Sequence, residues 1–190
     1  MKIRYTSLFI VLAFILSTNL YAKHIIGGVM SYECLGNNMY KITLKVYRDC
    51  AGGGAGFDSP AQIGIYRCGT AINCSSLGQF NAIQEPNPNP LDISPIAPPY
   101  YQCLKVPPIV CVEEAIYVFT VTLAKSNESY YVVYQRCCRN NSISNIVDPA
   151  NTGATFMVEI TPDAQALCNS SPVFNNFPPT LICANQLLEF

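Results

Sequence analysis

Apolar and polar residues alternate with period two through "VMSYECLGNNMYKITLKVYRDC", residues 29 to 50. Met30, Tyr32 and Cys34 alternate with Ser31 and Glu33, and beyond a Gly36-Asn37-Asn38 break Tyr40, Ile42, Leu44 and Val46 alternate with Lys41, Thr43 and Lys45. That pattern predicts a hairpin with one face buried and one face wet. A short strand is expected from about Gln62 to Cys68. In "AIYVFTVTLAKSNESYYVVYQRCCR" the apolar face of Ala115, Tyr117, Phe119, Val121 and Leu123, a turn over 124–129 and a β-branched, aromatic return over 130–139 predict a second hairpin. Phe156, Val158 and Ile160 mark another strand, and "TPDAQALC" suits one helical turn opened by Pro162.

Between these elements residues 69–112 show no period, and eight of the fourteen prolines fall between Pro86 and Pro108. Proline cannot donate to a sheet ladder and biases its neighbours toward extended or turn conformations, so this stretch reads as a surface excursion. The result is an all-β expectation of about six strands: an antiparallel, immunoglobulin-like β-sandwich with a long Pro-rich loop, stapled by disulfides. The chain has no Trp for the inter-sheet pin of antibody-type domains, so the expectation concerns architecture.

The ends divide the chain. Residues 1–22 carry Lys2 and Arg4, an apolar run from Leu8 to Leu16 and a small-residue exit at Ala22, the layout of a secretory signal peptide. The run is about half of the roughly 20 apolar residues a bilayer span needs, so export followed by cleavage is expected, with no membrane insertion afterwards. Residues 23–168 form the disulfide-rich sandwich module. Residues 169–190 read as a linker and the first strand of a following, truncated module. Loss of the signal leaves nine basic against twelve acidic residues, a net charge of −3, which argues against nucleic acid as a partner.

Ten cysteines, Cys34, Cys50, Cys68, Cys74, Cys103, Cys111, Cys137, Cys138, Cys168 and Cys183, all follow the cleavage site. In an exported chain an even number reads as a disulfide framework. Zinc is disfavoured because structural sites use closely spaced C-x2-4-C pairs, whereas five residues separate Cys68 from Cys74 and seven separate Cys103 from Cys111. Within the first hairpin Cys34 lies beside the turn and Cys50 at the far end, about 30 Å away, so the two cannot bond to each other. If the doublet Cys137-Cys138 continues a strand, its side chains point to opposite faces. One is then expected to bond Cys111 or Cys103 and the other Cys34, Cys50 or Cys168, while Cys68-Cys74 closes a local loop; a bond within the doublet would need a distorted peptide.

The segments "HIIGGVMSYECLGNNMYKITLKVYRDCAGG", "VCVEEAIYVFTVTL" and "VVYQRCCRNNSISNIVDPANTGATFMVEITPDAQALCNSSPVFNNFPPTLICAN" resemble the N-terminal region of large exported surface proteins of Bacteroidetes. Such proteins continue through immunoglobulin-, cadherin- or PKD-like repeats to a gliding-motility-associated sorting domain used by type IX secretion. The resemblance implies a secreted, cell-surface location and adjacent repeat modules of the same chain as partners. It carries no catalytic or ligand-binding residue.

No catalytic set is visible. His24 is the single imidazole and sits one residue after the expected mature N-terminus. Glu113 and Glu114 are neighbours and would point to opposite faces of a strand. Asp49 and Asp58 bracket "AGGGAGFDS" and could supply the oxygen ligands Ca²⁺ takes, but acids at loop ends are ordinary turn formers, so no cofactor is expected. The glycine-rich loop lacks the Lys-Ser/Thr and following helix of a phosphate cradle. Asn-x-Ser sequons begin at Asn73, Asn127, Asn140 and Asn169. Tyr47 and Tyr131 offer either a recognition surface for an extracellular glycan or protein or packing under the Pro-rich loop. These observations favour a non-enzymatic structural or adhesion module of a larger surface protein over a stand-alone secreted carbohydrate- or protein-binding domain.

Overall fold

The computed structural model describes residues 25–51, 55–69, 82, 84–96 and 111–173. β1 (Ile25–Gly36) and β2 (Met39–Asp49) form the expected hairpin. Its two turn residues, Asn37 and Asn38, have φ of 50° and 61°, the left-handed pair that asparagine tolerates and that matches strand twist. Tyr40, Ile42, Leu44 and Val46 are fully buried. β3 (Ile63–Cys68) follows where it was expected.

Beyond β3 the chain forms β4 (Asp92–Ile96), β5 (Val112–Thr122), β6 (Ser129–Arg136) and β7 (Ala154–Ile160), then the short helix α1 (Pro162–Leu167), capped by the Thr161 side chain. Two antiparallel sheets result, ordered β1-β2-β5-β4 and β3-β6-β7. Their inner faces meet in one core that includes Met30, Tyr32, Ile63, Ile65, Tyr117, Val132, Tyr134 and Ile160.

The second hairpin is not formed. β5 pairs with β2 over eleven residues and with β4, while β6 lies in the other sheet between β3 and β7. Residues 124–129 therefore arch from one sheet to the other. Two observations account for this: most of β6 is buried, as a central strand of a covered sheet requires, and the arch finds its polar partners in α1. Gln165 accepts from Ser126 N–H at 2.9 Å and donates to the Glu128 carbonyl at 2.9 Å, and Tyr130 OH donates to the Ala124 carbonyl at 2.6 Å.

Part of the Pro-rich excursion also belongs to the sheets. The Gln84, Pro86 and Pro88 carbonyls accept from Ile65, Ile63 and Ala61 N–H at 2.9, 3.2 and 2.9 Å. A proline here need only accept, so Pro86 and Pro88 fit along the edge of β3 without a donor of their own. The chain then crosses to the other sheet as β4, an edge strand that tolerates Pro95.

The cysteine pairing differs from the expected one. Cys34 bonds Cys168, Cys50 bonds Cys111, and Cys137 bonds Cys138 across a cis peptide, with Cα atoms 5.4, 5.0 and 3.1 Å apart. Cys34 and Cys50 avoid one another, as the hairpin requires. The doublet reaches neither Cys111 nor Cys34, Cys50 or Cys168, because β6 ends at Arg136 and strand alternation no longer applies one residue later. Cys50 and Cys111 extend the β2–β5 register by one step, with Cys50 N–H donating to the Cys111 carbonyl at 3.0 Å. Cys68 is disulfide-bonded, whereas Cys74, Cys103 and Cys183 lie outside the described residues.

Candidate functional site

The densest polar constellation stands at one end of the sandwich, where β2, β5 and β6 present Arg48, Glu113, Tyr134 and Arg136 to the loop at residues 55–58. Arg48 donates from Nε to Glu113 Oε2 at 2.7 Å and from Nη1 to the Ala55 carbonyl at 2.8 Å, its Nη2 lies 2.6 Å from the same Glu113 oxygen as an ion-pair contact, and its guanidinium is 5.1 Å from the Phe57 ring centroid. Forked and stacked contacts of this kind suit a planar guanidinium. Arg136 donates from Nη2 to the Gly56 carbonyl at 2.6 Å. Its Nη1 lies 3.0 Å from Asp58 Oδ1 as a charge contact outside aligned hydrogen-bond geometry. Tyr134 OH donates to Asp58 Oδ2 at 2.6 Å and Tyr117 OH to the Asp58 carbonyl at 2.8 Å.

These contacts reassign the sequence candidates. Asp58 is held by Arg136 and Tyr134. Asp49 accepts from Ala51 N–H at 2.9 Å and from Asn140 Nδ2 at 2.7 Å. Both carboxylates are thus engaged by protein donors, and among the described residues no group of three or more His, Cys, Asp and Glu stands together to hold a metal ion. The carbonyls of Ala55 and Gly56 are taken by arginines, so this part of the glycine-rich loop is organised as a set of acceptors. Glu113 and Glu114 do diverge: Glu113 meets Arg48, and Glu114 meets Lys45 at 3.4 Å on the outer face. His24 and Asn73 lie outside the described residues.

The remaining candidates separate by burial. Tyr131 is 3% exposed and donates to Glu159 at 2.9 Å, which removes it from any recognition surface; Tyr47 is half-buried on the wet face, its phenol pushed up by burial and by its hydrogen bond to Glu114. Asn140 is 8% exposed with its amide on Asp49, so this sequon is closed in the folded domain, while Asn127 and Asn169 are exposed.

Burial, followed by the Asp58 carboxylate, raises the hydroxyls of both core tyrosines against an opposing effect of Arg136. Tyr117 is pushed up to about 12, and Tyr134, which also donates to Asp58, is raised as well. Both stay neutral donors at neutral pH and pin the loop. Because the folded protein retains these protons longer than the unfolded chain, their contribution is complete below pH 10, the unperturbed tyrosine value, and is lost as pH rises through about 12. Absorbance titration at 295 nm should show a tyrosine fraction, diminished by Tyr117→Phe and Tyr134→Phe, that ionises late and together with unfolding; ionisation of that fraction near pH 10 in the folded protein would contradict the pinning role.

The signals for Arg48, Arg136 and Gln165 were present only as strand-end or helical polar residues, and their partners are far away in sequence: Arg136 and Gly56 are 80 residues apart. Among the described residues no helix is long and apolar enough to cross a membrane. No protein-family model matches the chain, and no curated protein or solved structure is significantly similar to it.

Proposed function

We propose that this chain is a non-enzymatic, immunoglobulin-like structural or adhesion module of a larger exported cell-surface protein, partnered by adjacent modules of the same chain. The immunoglobulin-like reading is supported by the strand order: β1-β2-β5-β4 over β3-β6-β7 matches the ABED over CFG arrangement. Tyr130, near the start of β6 and bonded back to the Ala124 carbonyl, occupies the place of a tyrosine corner. The polar cluster favours a structural role because both of its arginines donate to loop carbonyls and both of its carboxylates are paired within it.

One observation carries the tethering role. The domain runs in along β1 and out after α1, and the turn end of β1 is joined covalently to the end of α1 by Cys34–Cys168. Just beyond the bridge Ser171 N–H donates to the Tyr32 carbonyl at 3.0 Å, and the hydroxyls of Ser170 and Ser171 accept from Cys34 and Tyr32 N–H at 3.1 and 2.8 Å. Tension applied along the chain therefore passes through β1 and the bridge, and leaves the rest of the fold out of its line. That suits a spacer in an array.

Force spectroscopy on the oxidised domain with handles on both sides should release only the short stretch of β1 before Cys34. After reduction the 134-residue separation should add about 470 Å, at roughly 3.5 Å per residue. Extension of hundreds of ångströms with the bridge intact would remove the support for this reading.

A further inference from the structure

Among the described residues four strands form the sheet edges, and three of them carry something that discourages another strand. β1 is capped near its turn end by Ser170 and Ser171. β3 is lined by the carbonyls of Gln84, Pro86 and Pro88. β4 contains Pro95. Proline and local covers are the usual protections of an edge.

β7 differs. Its sequence, ATFMVEI, has no Pro, Gly or Lys, and among the described residues it pairs only with β6. Its one charge, Glu159, is drawn back onto its own sheet by Tyr131 OH, and Met157 at the centre is 49% exposed.

From these features we infer that β7 is a homotypic interface: two copies of the chain pair β7 to β7 in antiparallel fashion about a two-fold axis at Met157, making one six-stranded sheet. The second copy is the occupant that the strand's own pattern fits. In that register Thr155 stands opposite Glu159 of the second copy, Phe156 opposite Val158, and Met157 opposite itself. Apolar and aromatic positions meet, and no like charges are opposed. β1 packs over β7 with Gly28 against the Phe156 ring. A seven-residue strand pair is small for an interface, so association is concentration-dependent.

Sedimentation velocity on the oxidised chain from about 10 μM to about 1 mM tests this. The expected result is a monomer–dimer equilibrium that Met157→Lys moves at least about tenfold toward higher concentration, because it opposes two like charges on the axis, while Met157→Leu leaves it in place. Circular dichroism checks that the exposed substitution keeps the fold. In addition, Met157→Cys should give an intermolecular disulfide under mild oxidation. A chain that stays monomeric throughout, or a dimer indifferent to Met157→Lys, overturns the inference.

Discussion

Replacing Cys34 and Cys168 together by Ser lowers the unfolding free energy by about 4–5 kcal/mol, the largest loss expected from any cystine among the described residues. The ground is the unfolded chain: a bridge with a sequence separation of 134 removes more conformations than one of 61, as in Cys50–Cys111, for which about 4 kcal/mol is expected. Cys137–Cys138 has a separation of one and closes no loop, so the same mechanism assigns it almost nothing. Urea unfolding of the three double Ser variants should rank them in this order by midpoint. The slope should also rise when Cys34–Cys168 is lost, because the freed chain exposes more surface. Equal losses from the Cys137/Cys138 and Cys34/Cys168 pairs would defeat the loop-closure account.

That ranking also shows what could be read from residues alone. The Cys34 and Cys50 partners were constrained because the β1–β2 hairpin is a local object: its turn residues, its alternation and its register lie within about twenty-five residues of one another. The doublet was misread because its geometry depends on where β6 stops, and strand ends are poorly marked by hydrophobic period. The arch at 124–129 has the length and composition of a hairpin turn, and only the competition between partners decides. β2 satisfies β5 over its whole length, which sends β6 to the other sheet. β4 and the strand-like segment around Pro86 were hidden by the prolines that make them good edge covers. At the polar end, Asp49 and Asp58 were visible as loop-end acids, but their partners Asn140, Tyr134 and Arg136 come from segments 76 to 91 residues away, beyond any local pattern.

Asp58→Ala is the point substitution expected to cost most at that end, about 2–3 kcal/mol. It removes the counter-charge from Arg136, whose side chain is only 10% exposed, and leaves the Tyr134 hydroxyl without its acceptor. Breaking a fully buried pair typically costs about 3–5 kcal/mol; Asp58, 39% exposed, lets water reach the site and lowers the figure. Asp58→Asn keeps an acceptor for Tyr134 and should lose less. The double variant Asp58→Ala/Arg136→Met removes both charges and should recover part of the single variant's loss, since an absent pair is better tolerated than half of one. Urea unfolding of the wild-type chain, Asp58→Ala, Arg136→Met and the double variant forms a double-mutant cycle whose coupling energy isolates the pair. A coupling energy near zero would mean that Arg136 is held by the Gly56 carbonyl and its packing alone, and that the Asp58 carboxylate serves mainly to receive the Tyr134 proton.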